Sequence, residues 1–462
     1  MMNRLLLSLL ICFATQISFS QNATVLTLEE YLGYVKKYHP IVKQANLLLS
    51  ESEAKLLKSR GAFDPKIEVD YDRKKFEGTE YYDKLNTVFK IPTWYGVEFK
   101  GSFEDNSGVY LNPEATLPTD GLYSVGVSVS LAKGFLINER MAAIKQAKQY
   151  QLQAEKENQL LVNDVLFQAT IAYFNWVRTH GELEVYTEFL TNAELRLNGI
   201  KRSYELGENP AIDITEAQIA YNNRKLNLEK ANLNYTKAAL ALSNFLWIND
   251  VPAEIQNNVT PETEVAIIVD NILEIQSFEK DQNTIVNHPK LQSLEYKISG
   301  LEIEKRLQKN NLLPSIDLQY NFLSETPGTI NSFNTDNYKA GVAVKFPIFL
   351  RKERADLKLT KYKLDAINFE KSAIELELNN KLKAIEQEID SYENQLEITN
   401  NIVADYTILL KGEERKFDIG ESSLFLINSR EAKLIENKLK ALETENQLLN
   451  AKGKLFNILA IN

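Results

Sequence analysis

The chain has 462 residues, of which 25% are charged, and a formal net charge of −10 at pH 7. This length permits two or three ordinary domains, and the acidic balance argues against a nucleic-acid-binding protein. The single cysteine, Cys12, lies close to the N-terminus, so the rest of the chain offers neither disulfides nor thiolate metal ligands.

The first twenty residues have the three parts of a secretory signal peptide. Arg4 supplies the positive charge, a short apolar stretch follows it, and Ser18 and Ser20 flank a small-x-small cleavage site. The apolar stretch is too short to cross a bilayer as a helix, and no later stretch reaches the roughly 18 apolar residues that a spanning helix needs. We therefore predict an exported protein, and any membrane crossing after Ser20 must use strands.

The rest of the sequence is an internal duplication. Tyr71 matches Tyr320 at an offset of 249, and Tyr123 matches Tyr338 at an offset of 215, so the first copy has 34 more residues between these points. We predict a signal peptide at 1–20, a first repeat at 21–248, a connecting segment at 249–283 and a second repeat at 284–462.

Each repeat contains strands in which apolar and polar residues alternate, which predicts half-buried strands. The alternating stretches that recur in both copies are 66–72, 123–131, 315–322 and 338–346. The 34 additional residues alternate too, in two stretches on either side of Pro92-Thr93-Trp94. They predict an added hairpin at 80–104 in the first half.

A very long helix follows each strand pair. The segment from Asn138 to Glu205 contains no proline, and such a helix would be on the order of 100 Å long. Its apolar residues recur at spacings of three and four, which favours coiled-coil packing. Gly207 and Gly420 predict the helix ends, after which a second helix returns along the first.

The strands set a physical condition on the assembly. One face is apolar and the opposite face is polar, as in the wall of a membrane barrel around an aqueous lumen. Four strands cannot close a barrel, and an open sheet edge is not tolerated in lipid. The chain is therefore expected to supply part of a barrel that several subunits share.

The order of these features resembles the outer membrane efflux protein family, the TolC-like ducts. The resemblance rests on the duplicated halves, the strand from Tyr338 to Pro347 and the helix ends Arg202 to Gly207 and Arg415 to Gly420. It implies a mainly α fold with β-strands: a homotrimer with a shared transmembrane β-barrel, four strands per subunit, and a long periplasmic coiled-coil α-barrel. The added hairpin then either extends the barrel outside the membrane or adds spanning strands, and the first alternative agrees better with four strands per subunit.

The resemblance also implies a function. The protein would be the exit duct of a tripartite efflux or type I secretion system in the outer membrane. Its partners would be a periplasmic adaptor (membrane fusion) protein, an inner-membrane pump of the RND or ABC type, and outer-membrane lipid. It would have no enzymatic activity and need no cofactor. The alternative is a structural periplasmic coiled-coil protein without a pore.

The family often carries acidic residues six and nine positions after the glycine of each hairpin turn, where they line the periplasmic aperture. Asp213 and Glu216 occupy these positions in the first copy, whereas Leu426 and Ser429 replace them in the second. Asp213 equally suits the first turn of a helix, where a carboxylate is stabilised. The repeated turns make their residues candidate adaptor contacts: Arg202, Gly207, Arg415 and Gly420.

The paired histidines His39 and His288 suggest a third class, an exported enzyme or metal protein. Both histidines precede a proline at the start of a predicted helix, which favours a repeated helix start. The sequence has no His-x-x-x-His or Cys-x-x-Cys spacing, so we predict no metal site.

Overall fold

The protein is described here by a computed structural model, which places residues 24–256, 258–275, 285–326, 328 and 333–460. The predicted signal peptide lies outside the described residues. The helices of the described chain are α1 (Leu28–Tyr38), α2 (Pro40–Arg60), α3 (Glu139–Glu205), α4 (Ala211–Ser243), α5 (Val265–Ile272), α6 (Pro289–Asn310), α7 (Arg351–Asp418) and α8 (Leu424–Leu459).

The described strands fall into one large sheet and two small ones. The large sheet contains β2 (Lys66–Phe76), β3 (Thr79–Pro92), β4 (Val97–Ser107), β5 (Leu122–Ala132), β9 (Ser315–Ser324) and β10 (Tyr338–Lys345). The small sheets pair β1 (Thr24–Leu26) with β8 (Val259–Pro261), and β6 (Trp247–Ile248) with β7 (Val251–Pro252).

Helix α3 confirms the long proline-free helix that the sequence predicts. It starts at Glu139 because Asn138 caps it: the Asn138 side-chain oxygen accepts a hydrogen bond from the backbone N–H of Met141 at 2.9 Å. The same asparagine donates from its amide nitrogen to the Trp94 carbonyl at 3.1 Å. Helix α3 has 67 residues and its counterpart α7 has 68, so the duplication preserves helix length.

None of the helices in the described part of the chain is both long enough and apolar enough to cross a membrane.

The chain divides into two compact units, and each takes segments from both predicted repeats. The first unit comprises the described residues of Met1–Gln44, Leu161–Ile285 and Leu378–Asn462, and the second comprises Ala45–Leu160 and Val286–Glu377. The repeat boundaries drawn from the sequence describe the duplication rather than these units, and they stay a prediction.

In the first unit, the coiled-coil seam that the sequence predicts is buried. Leu197 and Ile200 of α3 pack with Ala217 of α4 and Leu424 of α8 in one apolar cluster. Further along, Ala231, Ala238 and Leu242 of α4 are buried at spacings of seven and four. The spacing of three and four residues therefore marks the face that each helix turns toward its neighbours within the chain.

Tyr173 joins the N-terminal strand of the first unit to the connecting segment. Its hydroxyl donates to the Leu26 carbonyl at 2.7 Å and accepts from the Glu262 backbone N–H at 3.2 Å. Burial raises the pKa of Tyr173, so the phenol stays protonated and can donate. The connecting segment, which shows no clear period in sequence, is thus held by the strand pair β1 and β8, by this hydroxyl and by the ion pair of Asp270 with Lys452 at 2.8 Å.

In the second unit, the six-stranded sheet corrects the strand pairing expected from the sequence. Its strand order is β10-β9-β5-β4-β3-β2, and the neighbouring strands are antiparallel. The expected strand pair of the first repeat, β2 with β5, does not form, because the added hairpin β3 and β4 lies between them. The sheet of one chain therefore has six strands, namely the four that recur in the two repeats and the two of the added hairpin that the sequence predicts.

The turns at both ends of β3 explain this order. Glu77 and Gly78 both have positive φ, 50° and 78°, as a two-residue type I′ turn requires. Such a turn makes β2 and β3 direct neighbours. At the other end of β3, the Thr93 side chain and backbone N–H both hydrogen-bond to the Val97 carbonyl, at 2.7 and 2.9 Å, and return the chain into β4.

The duplicated glycines Gly126 and Gly341 have different surroundings in the sheet. A Cβ at Gly126 of β5 would lie 2.3 Å from the Tyr320 carbonyl oxygen and 2.6 Å from Cα of Asn321, both on the neighbouring strand β9. At Gly341 of β10, among the described residues, a Cβ would meet no heavy atom within 4 Å. Only the first position therefore requires glycine for close contact between strands.

We predict that Gly126→Ala destabilises the sheet by about 1–3 kcal/mol, the usual cost of overpacking, whereas Gly341→Ala has little effect. Thermal unfolding of both variants in detergent, followed by circular dichroism, measures the difference. Equal unfolding temperatures for Gly126→Ala and the wild-type chain would contradict the close strand contact.

Candidate functional site at the helical hairpin turns

The two long helical hairpins turn through the same backbone motif. Gly207 and Gly420 adopt left-handed φ angles of 80° and 77°. In each turn the glycine N–H donates to the carbonyl three residues earlier, and the next N–H donates to the carbonyl five residues earlier, at 2.8–2.9 Å. This is a Schellman motif, which satisfies carbonyls that the helix end leaves free. The helix ends predicted from the repeated glycines are confirmed.

The candidate adaptor-contact residues lie on these turns. Arg202 and Arg415 are exposed in the last turns of α3 and α7, where a cation interacts favourably with the helix C-terminus. Gly207 and Gly420 are exposed as well. Both pairs are accessible on the single chain, and their role in adaptor contact stays a prediction.

Asp213 and Glu216 lie in the first two turns of α4 and line one cleft of about 910 Å³. The lining also includes Glu208, Glu414 and Asp418, so five acidic residues surround the same space. Gly420 lines this cleft too, whereas Arg202, Gly207 and Arg415 are not among its lining residues in the described chain. Arg196 is the one basic residue among the described residues that line the cleft, so the carboxylates outnumber it and the cleft favours cations.

The two aperture candidates differ in how they are held. Asp213 lies in the first turn of α4, where a carboxylate is stabilised by the helix N-terminus, and its backbone N–H donates to the Pro210 carbonyl at 3.1 Å. The Glu216 carboxylate accepts a hydrogen bond from the Asn428 side chain of α8 at 3.2 Å. Glu216 is thus fixed to a second helix. The role of both residues in an aperture stays a prediction.

A buried carboxylate close to this cleft joins the four long helices. Glu431 of α8 is only 1% exposed and forms ion pairs with Arg196 of α3 at 2.7 Å and Arg224 of α4 at 3.3 Å. Arg196 also lies 3.6 Å from Glu414 of α7. Because both arginines are mostly buried, the carboxylate compensates charges that have largely lost contact with water.

Sequence reasoning did not find this cluster. The sequence does show Arg224 as a charged residue on the otherwise apolar seam of α4. Charged residues at seam positions were therefore the available signal. The carboxylate that pairs with Arg224 lies 207 positions away, a distance over which sequence pattern alone does not identify partners.

We predict that Glu431→Gln, which leaves two mostly buried arginines without their carboxylate, destabilises the first unit by about 3–5 kcal/mol. Glu436→Gln on the same helix removes an exposed charge paired with Lys433 and should cost less than about 1 kcal/mol. Thermal unfolding of the helical signal compares the two variants. The interpretation fails if both unfold at the wild-type temperature.

The paired histidines occupy helix starts, as the sequence predicts. His288 caps α6, with its Nδ1 accepting from the Lys290 N–H at 3.1 Å, and His39 Nδ1 accepts from the Ile41 N–H at 3.3 Å. Burial lowers the pKa of His39, although a backbone hydrogen bond with Asn244 acts in the opposite direction. Among the described residues, no cluster of three or more His, Cys, Asp or Glu side chains has an arrangement suited to a metal ion.

Comparisons with known proteins agree with this architecture. No curated protein sequence matches the chain. The Campylobacter jejuni CmeC outer membrane channel is similar in structure, with a TM-score of 0.65, 13% identity, and coverage of 94% of this chain and 85% of that one. The open state of the Neisseria gonorrhoeae MtrE outer membrane channel has a TM-score of 0.64 at 12% identity and covers 96% and 93% of the two chains.

The outer membrane protein VceC from Vibrio cholerae gives a TM-score of 0.65 at 11% identity, with coverage of 94% and 96%. At these identities the likeness establishes the fold. A sequence model of the family described as outer membrane efflux protein matches residues 282–460. The resemblance predicted from the sequence is thereby confirmed: the second half of the chain has the sequence pattern of the outer membrane efflux proteins, and the described chain has the fold of outer-membrane channels.

Proposed function

We propose that the protein is the outer-membrane exit duct of a tripartite efflux or type I secretion system. It is a passive conduit, it resides in the outer membrane with a large periplasmic portion, and it catalyses no reaction. The observation that carries this proposal is the large sheet, which has two different faces and two open edges.

The two faces follow from the strand pairing, since residues directly opposite each other point to the same side of a sheet. One face holds a row in which Ile91, Phe99, Val127 and Tyr320 are successive partners. The other face carries Ser102 opposite Ser124, with their hydroxyls 2.6 Å apart, and Ser130, which donates to Asp317 at 2.5 Å. An apolar outer face and a hydroxylated, charged inner face suit a barrel wall between lipid and water.

The apolar face is exposed in the single chain. Ile67, Phe99 and Val342 are each more than half exposed, although they lie on three different strands of one sheet. A soluble sheet would bury such a face against other elements. This observation disfavours the alternative of a structural periplasmic protein without a pore.

A second exposed apolar surface indicates that the chain assembles with copies of itself. On the face of α4 that points away from the buried seam, an aliphatic residue recurs every seven positions, and each of these residues is more than half exposed. The residues of this α4 stripe are Ile212, Ile219, Leu226, Leu233 and Leu240. A heptad spacing is the pattern by which one helix packs along another. A homotrimer, which the resemblance implies, gives the α4 stripe a neighbouring helix.

The remaining partners follow from the hairpin turns. A passive duct obtains its energy from an inner-membrane pump of the RND or ABC type, and a periplasmic adaptor connects the two. The exposed turns at Gly207 and Gly420, with Arg202 and Arg415 beside them, are the surface that we assign to the adaptor. The acid-rich cleft at Asp213 and Glu216 is the part assigned to the periplasmic aperture.

Purified protein in a planar lipid bilayer tests the duct directly. We expect discrete conductance steps, because trimers with a closed barrel form a water-filled pathway. Cell fractionation supplies a second measurement, in which the protein should require detergent for extraction from the outer membrane. Recovery in the soluble periplasm, together with a silent bilayer, would reject the proposal in favour of the structural protein.

We further predict that Leu226→Glu combined with Leu233→Glu weakens self-association, because it places charge in the α4 stripe at two successive heptads. Asn232→Glu, at an exposed polar position of the same helix that is turned about 100° away from Leu233, is the control and should leave the oligomer unchanged. Sedimentation in detergent gives the oligomeric state of each variant. A trimer as stable as wild type in the double variant would exclude the stripe as an interface.

A further inference from the structure

We propose that the added hairpin, β3 and β4, is part of the membrane-spanning wall, so that each copy contributes six strands to the shared barrel. This inference rests on the proposed function, since it concerns the wall of the duct. It replaces the sequence-based preference for a hairpin outside the membrane, and it departs from the four strands per subunit that the resemblance implies.

The pairing registers place the hairpin at the same level as the strands on both sides of it. One continuous row of paired residues crosses all six strands, from Lys66 of β2 to Lys339 of β10; its members are Lys66, Lys90, Lys100, Gly126, Asn321 and Lys339. A row that includes β5 and β9 at the level of the membrane must include β3 and β4 at that level too. The pairing thus leaves no way for the hairpin to lie wholly outside.

The hairpin also has the same two faces as the repeated strands. Phe89, Ile91 and Phe99 continue the apolar face, and all three are exposed in the single chain. Lys90 and Lys100 point to the opposite side, where Lys90 pairs with Glu68 of β2. A hairpin in water gains nothing from an exposed row of phenylalanine and isoleucine, whereas a hairpin in lipid needs one.

The part of the hairpin that does extend beyond the membrane is its distal end. At this end, near the Glu77-Gly78 turn, the face that is apolar in the rest of the sheet carries Arg73 of β2 opposite Asp83 of β3, with an ion pair at 3.3 Å. Asp105 of β4 lies on this face as well, opposite Leu85. Charge on both faces marks the level at which the strands leave the hydrocarbon.

Chain direction permits this insertion without any other change in the plan. Two added antiparallel strands leave the direction of the following strand, β5, unchanged. Helix α3 therefore still begins at the same end of the strands. Because barrel diameter grows roughly linearly with strand number, three six-stranded copies would form an eighteen-stranded wall about one and a half times as wide as a twelve-stranded one.

Single-cysteine labelling tests the proposal, because Cys12 lies in the predicted signal peptide and each mature variant then carries one thiol. The hairpin variants are Ser102→Cys on the polar face and Phe99→Cys on the apolar face. Their controls are Ser124→Cys and Val127→Cys on β5, the cross-strand partners of Ser102 and Phe99. Trimers in proteoliposomes are treated with a membrane-impermeant charged maleimide, before and after denaturation.

We expect Ser102→Cys and Ser124→Cys to react in the intact membrane, and Phe99→Cys and Val127→Cys to lose all labelling until denaturation. Labelling of Phe99→Cys while Val127→Cys stays protected would place the hairpin outside the membrane and overturn this inference alone. Protection of Ser102→Cys while Ser124→Cys reacts would also overturn it. Labelling of Val127→Cys in the intact sample would instead reject the membrane barrel, and with it the proposed function.

Discussion

The backbone groups on the free edges of β2 and β10 impose the condition on which the rest of the molecule depends. Among the described strands, each of these two has a partner on one side only. In hydrocarbon every unpaired N–H or C=O costs several kcal/mol, so a sheet with this apolar face is stable in a membrane only when the edges of neighbouring copies pair. The need for neighbouring copies therefore follows from the sheet itself. The exposed apolar α4 stripe needs a neighbouring copy too, because a second helix must cover it.

The helical part of the first unit combines two kinds of contact with different consequences. Apolar seams such as that around Leu197 and Ile200 are favourable at many registers, since one heptad can slide to the next. The ion pairs of Glu431 with Arg196 and Arg224 are favourable at one register only, because any shift leaves a buried charge unpaired. The buried carboxylate thus determines the register of the helices close to the hairpin turns.

Periodicity in the sequence was sufficient for the elements and for their faces. The start of α3 after Asn138, the turns at Gly207 and Gly420 and the alternation in β5 and β10 all follow from local patterns. Periodicity does not determine which strands are neighbours, and for this reason the position of β3 and β4 inside the sheet was missed. The turn that joins β2 to β3 contains Glu77, and glutamate rarely adopts the left-handed φ that it has here. The usual Asn-Gly or Asp-Gly signal of such a turn was therefore absent.

The candidate site was predictable in part for a similar reason. Each hairpin turn is a local motif, and its glycine could be found from the duplication alone. The contacts that hold Glu216 and Glu431 join helices that are more than 200 positions apart in the chain. Such partners are determined by packing in three dimensions, and a single sequence contains no periodic signal for them.

The three-segment composition of the first unit has a consequence for the order of folding. Phe174 and Ile171 pack near Gly453, and the Asn163 side chain donates to the Asn457 carbonyl at 2.7 Å. The core around α3 therefore cannot close until the last helix has been synthesised and exported, so most of its contacts are highly non-local. Until then the chain carries its apolar strand faces unprotected through an aqueous compartment. A nearly complete polypeptide must therefore stay unaggregated until its last helix is available to close this core.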